Sequence, residues 1–163
     1  MKRAKSSLLH RAGIISLLLI ASLLIGLVAY GQEIIKVRLK QVPREYADKH
    51  MPEGWWTNPK TIEAGRRVYE GRVKFKIKPE EKKKCAECHG VDGQPIKWEA
   101  RDFTDPKKIN DFSDSYWFWR VSEGVPTTNM PAWKDLLTEE QIWQVISYEH
   151  TFSHDGNPAP HEH

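Results

Sequence analysis

The first sustained pattern along the chain is an unbroken apolar run. Ala12 to Tyr30 (AGIISLLLIASLLIGLVAY) is nineteen residues without a charge. As a helix it spans about 28 Å, close to the ~30 Å hydrocarbon core of a bilayer. Lys2, Arg3, Lys5 and Arg11 precede it. Basic residues on that side predict one transmembrane helix with a cytoplasmic N-terminus and the remainder on the outer face. The alternative is a cleaved signal peptide, with Ala29-Tyr30-Gly31 as a small-x-small site. Against it, the run is longer than the ~7–15 residues of an ordinary signal core.

Residues 31–57 are polar, carry Pro43 and Pro52, and show no sustained period. They read as a tether on the outer side, with Trp55 and Trp56 packing on a domain surface or meeting a partner. A helix is predicted from Asn58-Pro59 or Thr61, where Ile62, Gly65, Val68 and Tyr69 share a face and Gly71 is the stop. Val73, Phe75 and Ile77 alternate with polar residues and suggest a short extended piece. Thr138 with Gln141 makes a capping box ahead of Ile142, Val145, Ile146, Tyr148 and Phe152, an amphipathic helix. Residues 154–163 read as a disordered tail. The expected organisation is therefore a basic stub at 1–11, an anchor at 12–30, a tether at 31–57, a domain at 58–153 and a tail.

Charge changes this picture little. The 163 residues carry 25 Lys+Arg and 22 Asp+Glu. The four basic residues before the anchor account for the excess. Beyond residue 31 the balance is 21 to 22, which gives no support to nucleic-acid binding.

The chemistry concentrates in KKKCAECHGVDG, which holds both cysteines of the chain. Cys85-Ala86-Glu87-Cys88-His89 has the spacing of a covalent haem anchor. One helical turn brings two thiols to the two vinyl groups on one porphyrin edge and sets the next side chain, His89, under the iron. A zinc site needs a second Cys pair, which is absent. A redox dithiol wants a strand–helix–strand setting, and no parallel-strand pattern appears. For the other axial position the chain offers Met130, in the Gly/Pro-rich loop GVPTTNMPAW. A loop set by two prolines holds a thioether rigidly, and neutral sulfur favours the reduced iron. His50, His150 and His154 are rival ligands, the last two on a helix expected to pack away from the iron.

Taken together, Gly65 with Tyr69, CAECHGVDG, ARDFTDP, WFWRVSEGVPTTNMPAW and LTEEQIWQVISYEHTF resemble the class I monohaem cytochromes c over residues 59–153. The resemblance implies an all-α class I cytochrome c fold around one covalently bound haem c, preceded here by the single N-terminal membrane helix. It implies that Gly65 and Tyr69 cross the last helix near Val145 and Tyr148. It makes Arg101, Trp119, Arg120 and Trp133 candidates for propionate contact or haem packing. Two departures stand out. Sixteen positions separate Tyr69 from Cys85, so residues 71–83 are largely an insertion, and Ala100 stands where many relatives have proline. That proline neighbours the carbonyl that receives the proximal histidine N–H in the family; Pro95 and the Trp98–Ala100 stretch are the candidates here.

With both axial positions filled and no general acid or base evident, the expectation is single-electron transfer, not bond chemistry. The insertion carries Arg72, Lys74, Lys76, Lys78, Lys82, Lys83 and Lys84 against Glu80 and Glu81, either a solvated loop or a basic docking patch. The expected partners are a quinol-oxidising complex and a terminal oxidase or reductase. The protein serves them as a tethered carrier or as a fixed subunit at the periplasmic face of the inner membrane. The other class is a haem sensor or enzyme with a labile sixth ligand.

Overall fold

The computed structural model describes residues 20–32, 41–77 and 84–161. The chain divides into two units, Met1–Gln41 and Val42–His163. In the first, residues 20–32 form helix α1, and its large apolar side chains, Leu23, Leu24 and Ile25 among them, are exposed. Among the described residues no helix is long and apolar enough to cross a membrane. The run expected to do so begins at Ala12, and its stretch 12–19 lies outside the described residues.

The second unit is built from α2 (Arg44–Ala47), α3 (Pro59–Tyr69), α4 (Ala86–His89), α5 (Pro106–Asn110), α6 (Asp114–Glu123) and α7 (Glu139–Thr151), closed by a 3-10 turn at Phe152–His154. No strand occurs among the described residues, in keeping with the all-α expectation.

Local chemistry explains where the long helices start. Asn58 accepts hydrogen bonds from the Lys60 and Thr61 N–H groups, and Pro59 takes the first helical position of α3. Ser113 caps α6 through the Tyr116 N–H. Thr138 and Gln141 form the reciprocal capping box of α7.

The crossing of α3 and α7 depends on Gly65. A Cβ there would lie 1.9 Å from the Gln144 carbonyl oxygen and 2.9 Å from Tyr148 Cβ, so only glycine lets the backbones approach this closely. One turn on, Tyr69 meets Tyr148 edge-on with ring centroids 5.4 Å apart. Its hydroxyl donates to the Gly90 carbonyl at 2.6 Å, which ties this crossing to the end of α4. Tyr69, Leu137 and Val145 are wholly buried at the centre.

Two segments depart from the expectations. Residues 42–57 of the expected tether belong to the compact unit. Met51 is buried, and its N–H donates to Asp114 Oδ2 at 2.9 Å. Tyr46 donates to the Glu123 carboxylate, and Ser147 Oγ donates to the Trp55 carbonyl at 2.7 Å. The prolines mark turns here, while the scattered apolar side chains between them find places on α6 and α7. Residues 33–40 of the tether lie outside the described residues. The tail also folds back as far as His161. Its ring stacks on Trp56 at 4.7 Å, and its Nε2–H donates to the Phe112 carbonyl at 2.9 Å.

Within the insertion, Val73 and Phe75 pack against the core without forming a strand. Lys76 N–H donates to the Leu136 carbonyl at 2.8 Å. Residues 78–83, with three of its lysines and both glutamates, lie outside the described residues.

Candidate cofactor site

Helix α4 is a single turn, with Cys85 at its N-cap and His89 at its last position. The i, i+3 spacing sets Cys85 and Cys88 on one side of that turn. Both thiols are free. Burial, and after it the nearby Glu149, pushes the Cys85 thiol well above its ordinary value, so it stays neutral until it is alkylated. Immediately after His89 the chain reverses at Gly90, φ +75°, where a Cβ would sit 2.1 Å from the Gln94 carbonyl oxygen.

His89 is 8 % exposed. Its Nδ1 lies 3.0 Å from the Arg101 carbonyl; a carbonyl only accepts, so Nδ1 carries the proton. The ring stacks on Phe103, centroids 4.5 Å apart and planes 17° from parallel. Burial holds its pKa below the ordinary value. The side chain is therefore a neutral imidazole with Nε2 left as the basic nitrogen. A fixed Nδ1–H of this kind orients a metal-binding imidazole. The accepting carbonyl belongs to Arg101, one residue beyond the Trp98–Ala100 stretch and away from Pro95. The loop is closed by Phe103 N–H donating to the Gly93 carbonyl at 3.0 Å, which draws the chain in at Arg101.

These residues line a cavity of about 670 Å³ that also takes in Met130, Pro131 and Trp133 from the loop after α6, and Tyr116, Trp117, Arg120 and Val121 from α6 itself. Met130 arrives there through a tightly turned loop. Gly124 has φ +71°, and a Cβ on it would sit 2.4 Å from the Met130 carbonyl oxygen. Thr128 Oγ1 donates to the Val125 carbonyl at 2.8 Å and accepts from the Met130 N–H at 3.2 Å. Glu99, also in the lining, accepts from Asn129 N–H and Nδ2, each at 3.1 Å.

Of the four residues named for contact or packing, Arg101, Arg120 and Trp133 line the cavity and Trp119 does not. Trp119 instead lies against Arg120, whose Cζ is 3.7 Å from its ring centroid. The wall position falls to Trp117. The two are separated by about 200° around the helix, and Trp117 shares the face of Tyr116, Arg120 and Val121. That i, i+1, i+4, i+5 register was the available signal for Trp117. Phe103 and Glu149 were also missed. Phe103 lies inside the quoted ARDFTDP motif, whereas nothing in the local sequence marks Glu149.

The donor set fits haem c. The volume lies within the ~300–1,000 Å³ of cofactor pockets. The wall is largely aromatic and aliphatic, two free thiols sit on one turn, and a neutral imidazole and a thioether come from different segments. Trp117 Nε1 is buried without a partner in the protein, and Arg120, 5 % exposed, is a buried cation in the wall. Both suit a group that is apolar in its body and anionic at its edge.

Comparison with known proteins agrees. Residues 79–148 match the family described as cytochrome c oxidase, cbb3-type, subunit III. No curated protein and no solved structure matches the chain.

Proposed function

Residues 79–148 carry a class I monohaem cytochrome c domain with covalently bound haem c, whose chemistry is electron transfer, and from that premise we propose a finer role. The protein passes single electrons through a haem attached at Cys85 and Cys88 and ligated by His89 and Met130. Residues 12–30 anchor it to the inner membrane with the haem domain on the periplasmic side. There it serves as a subunit of a respiratory complex, or as a tethered carrier, between a quinol-oxidising donor and a terminal oxidase or reductase.

The observation carrying this reading is that Cys85, Cys88, His89 and Met130 line one cavity although 45 positions separate the first from the last. When bound, the haem supplies an iron that accepts and returns one electron. The chain's residues do the rest. The Arg101 carbonyl and the Phe103 ring hold the His89 imidazole in one orientation. The turns at Gly124 and Thr128 hold Met130. Arg101, Arg120 and Trp117 supply donors in the wall for carboxylates. The exposed apolar face of α1 supports the anchor, and the oxidase-subunit description of the matched family supports the complex.

Optical spectra test the ligation. The oxidised protein is expected to show a thioether-to-iron charge-transfer band that Met130→Leu abolishes. Ready CO binding by the reduced wild type at neutral pH would instead favour the sensor. Fractionation tests the anchor: full-length protein should sediment with membranes, and removal of residues 1–31 should release it. Copurification in mild detergent distinguishes subunit from carrier.

A further inference from the structure

One buried ionisable group has no place in the scheme above. Glu149 sits on the inward face of α7 and is 8 % exposed. It lines the large cavity together with Cys85 and His89. It also lines a small hollow behind, among Trp56, Phe103, Ile109, Trp117 and Ile146. None of the described residues hydrogen-bonds or ion-pairs with its carboxylate. A carboxylate in such a wall is normally either paired or neutral.

The groups that face it from other elements do not supply a partner. Tyr69 of α3 and Cys85 at the start of α4 both feel its charge. Tyr69 is committed to Gly90, and Cys85 stops titrating once it is a thioether. His89 of α4 is neutral and faces Arg101. Among the cations around the cavity, Lys84, Lys97, Arg101, Lys108 and Arg120, none pairs with Glu149; Glu87, Glu99 and Asp102 complete the charged lining. On its own helix, His150 is held neutral, its pKa lowered to about 3.

We propose that Glu149 is a redox-linked proton site: its carboxyl takes up one proton when the haem is reduced and releases it when the haem is oxidised. This rests on the electron-transfer reading above. Oxidised centre, ionised Glu149, one electron from the donor protein and one proton from water give reduced centre and protonated Glu149. The electron and the proton arrive from separate sources, and the charge within the cavity is unchanged. The physical cause is the shared low-dielectric space. Oxidation adds a positive charge that stabilises a carboxylate nearby, and reduction removes it. Linkage is reciprocal, so the pH must then shift the affinity for the electron by the same factor. Burial raises the Glu149 carboxyl to about 8, which places the coupled titration in an accessible range.

The test is the midpoint potential of the holoprotein between pH 5 and 10. In the wild type it is expected to fall with pH through a window bounded by the two Glu149 pKa values, and to be flat on either side. The limiting slope is a tenfold change in electron affinity per pH unit, about 59 mV for one electron. Glu149→Gln is expected to flatten that window, at a value near the acid limit of the wild type. Reduced-minus-oxidised infrared spectra should gain a carboxylic-acid C=O band in the wild type that the variant lacks. A slope retained in Glu149→Gln would overturn the proposal, because another group would then own the proton. If that variant fails to take up haem, the wild type still decides: a flat potential, or no gain of the C=O band on reduction, overturns it. Absence of any reversible one-electron couple would instead sink the electron-transfer reading on which it stands.

Discussion

The two walls of the cavity are built on different principles. The His89 wall is fixed from within. Its imidazole is clamped between a carbonyl and a parallel ring. The turn that carries it is tied to α3 through Tyr69 and Gly90, and the Cys88 carbonyl accepts from Ile96 and Lys97 N–H groups. The Met130 wall is a loop without helix or strand. Its order comes from a positive-φ glycine, a threonine hydroxyl and an exposed clasp between Glu99 and Asn129. The first wall persists as long as the core does. The second can open while the core stays folded, because its clasp between Glu99 and Asn129 already faces water.

The largest difference between the walls is expected when each proposed axial ligand is removed. His89→Ala should abolish the accumulation of folded, coloured protein. Met130→Ala should leave a folded, red protein with an open site. Its midpoint should fall by a few tenths of a volt, within the ~0.8 V over which axial ligands set haem potentials. Haem content and potentiometry report the two outcomes. Next is Phe103→Ala, which removes the buried ring under His89. By analogy with other aromatic truncations it should destabilise the domain by about 3–5 kcal/mol, read by denaturant unfolding.

A pH titration separates both walls from the packing of residues 42–57 and the tail on α7. His150 is 3 % exposed. Burial, with smaller contributions from His161 and His154, lowers its pKa to about 3. The unfolded chain binds a proton there below its ordinary value near 6.5, and the folded chain does not. Stability from this group is therefore complete above about pH 6.5 and is lost as the pH falls towards 3, by roughly 1.4 kcal/mol per unit. His150→Gln should flatten that part of the stability–pH curve.

Smaller effects belong to the Met130 wall. Gly124→Ala forces a side chain on to a left-handed backbone against the Met130 carbonyl. A cost of about 1–3 kcal/mol is expected, seen as loss of the thioether band at lower denaturant than global unfolding. Asn129→Ala removes only one exposed side-chain bond to Glu99. It should shift loss of the band by less than about 1 kcal/mol and leave global unfolding unchanged.

What the chain announces by itself is what depends on neighbours three or four residues away. The thiol and imidazole spacing of Cys85, Cys88 and His89, the capping box of Thr138 and Gln141, and the small residue at Gly65 are all of this kind. One turn of helix imposes that geometry whatever surrounds it. Other features needed the folded chain: the Arg101 carbonyl as the partner of His89, Trp117 in place of Trp119 in the wall, the packing of residues 42–57 on α6 and α7, and the return of His161 to Trp56. Each depends on which surface meets which across tens of residues. Weak local patterns such as prolines, lone aromatics and a polar tail carry no record of the cavity or groove that receives them. Glu149 is the limiting case: its position on α7 is legible, but only the folded core removes the water and the cations that would have made it ordinary.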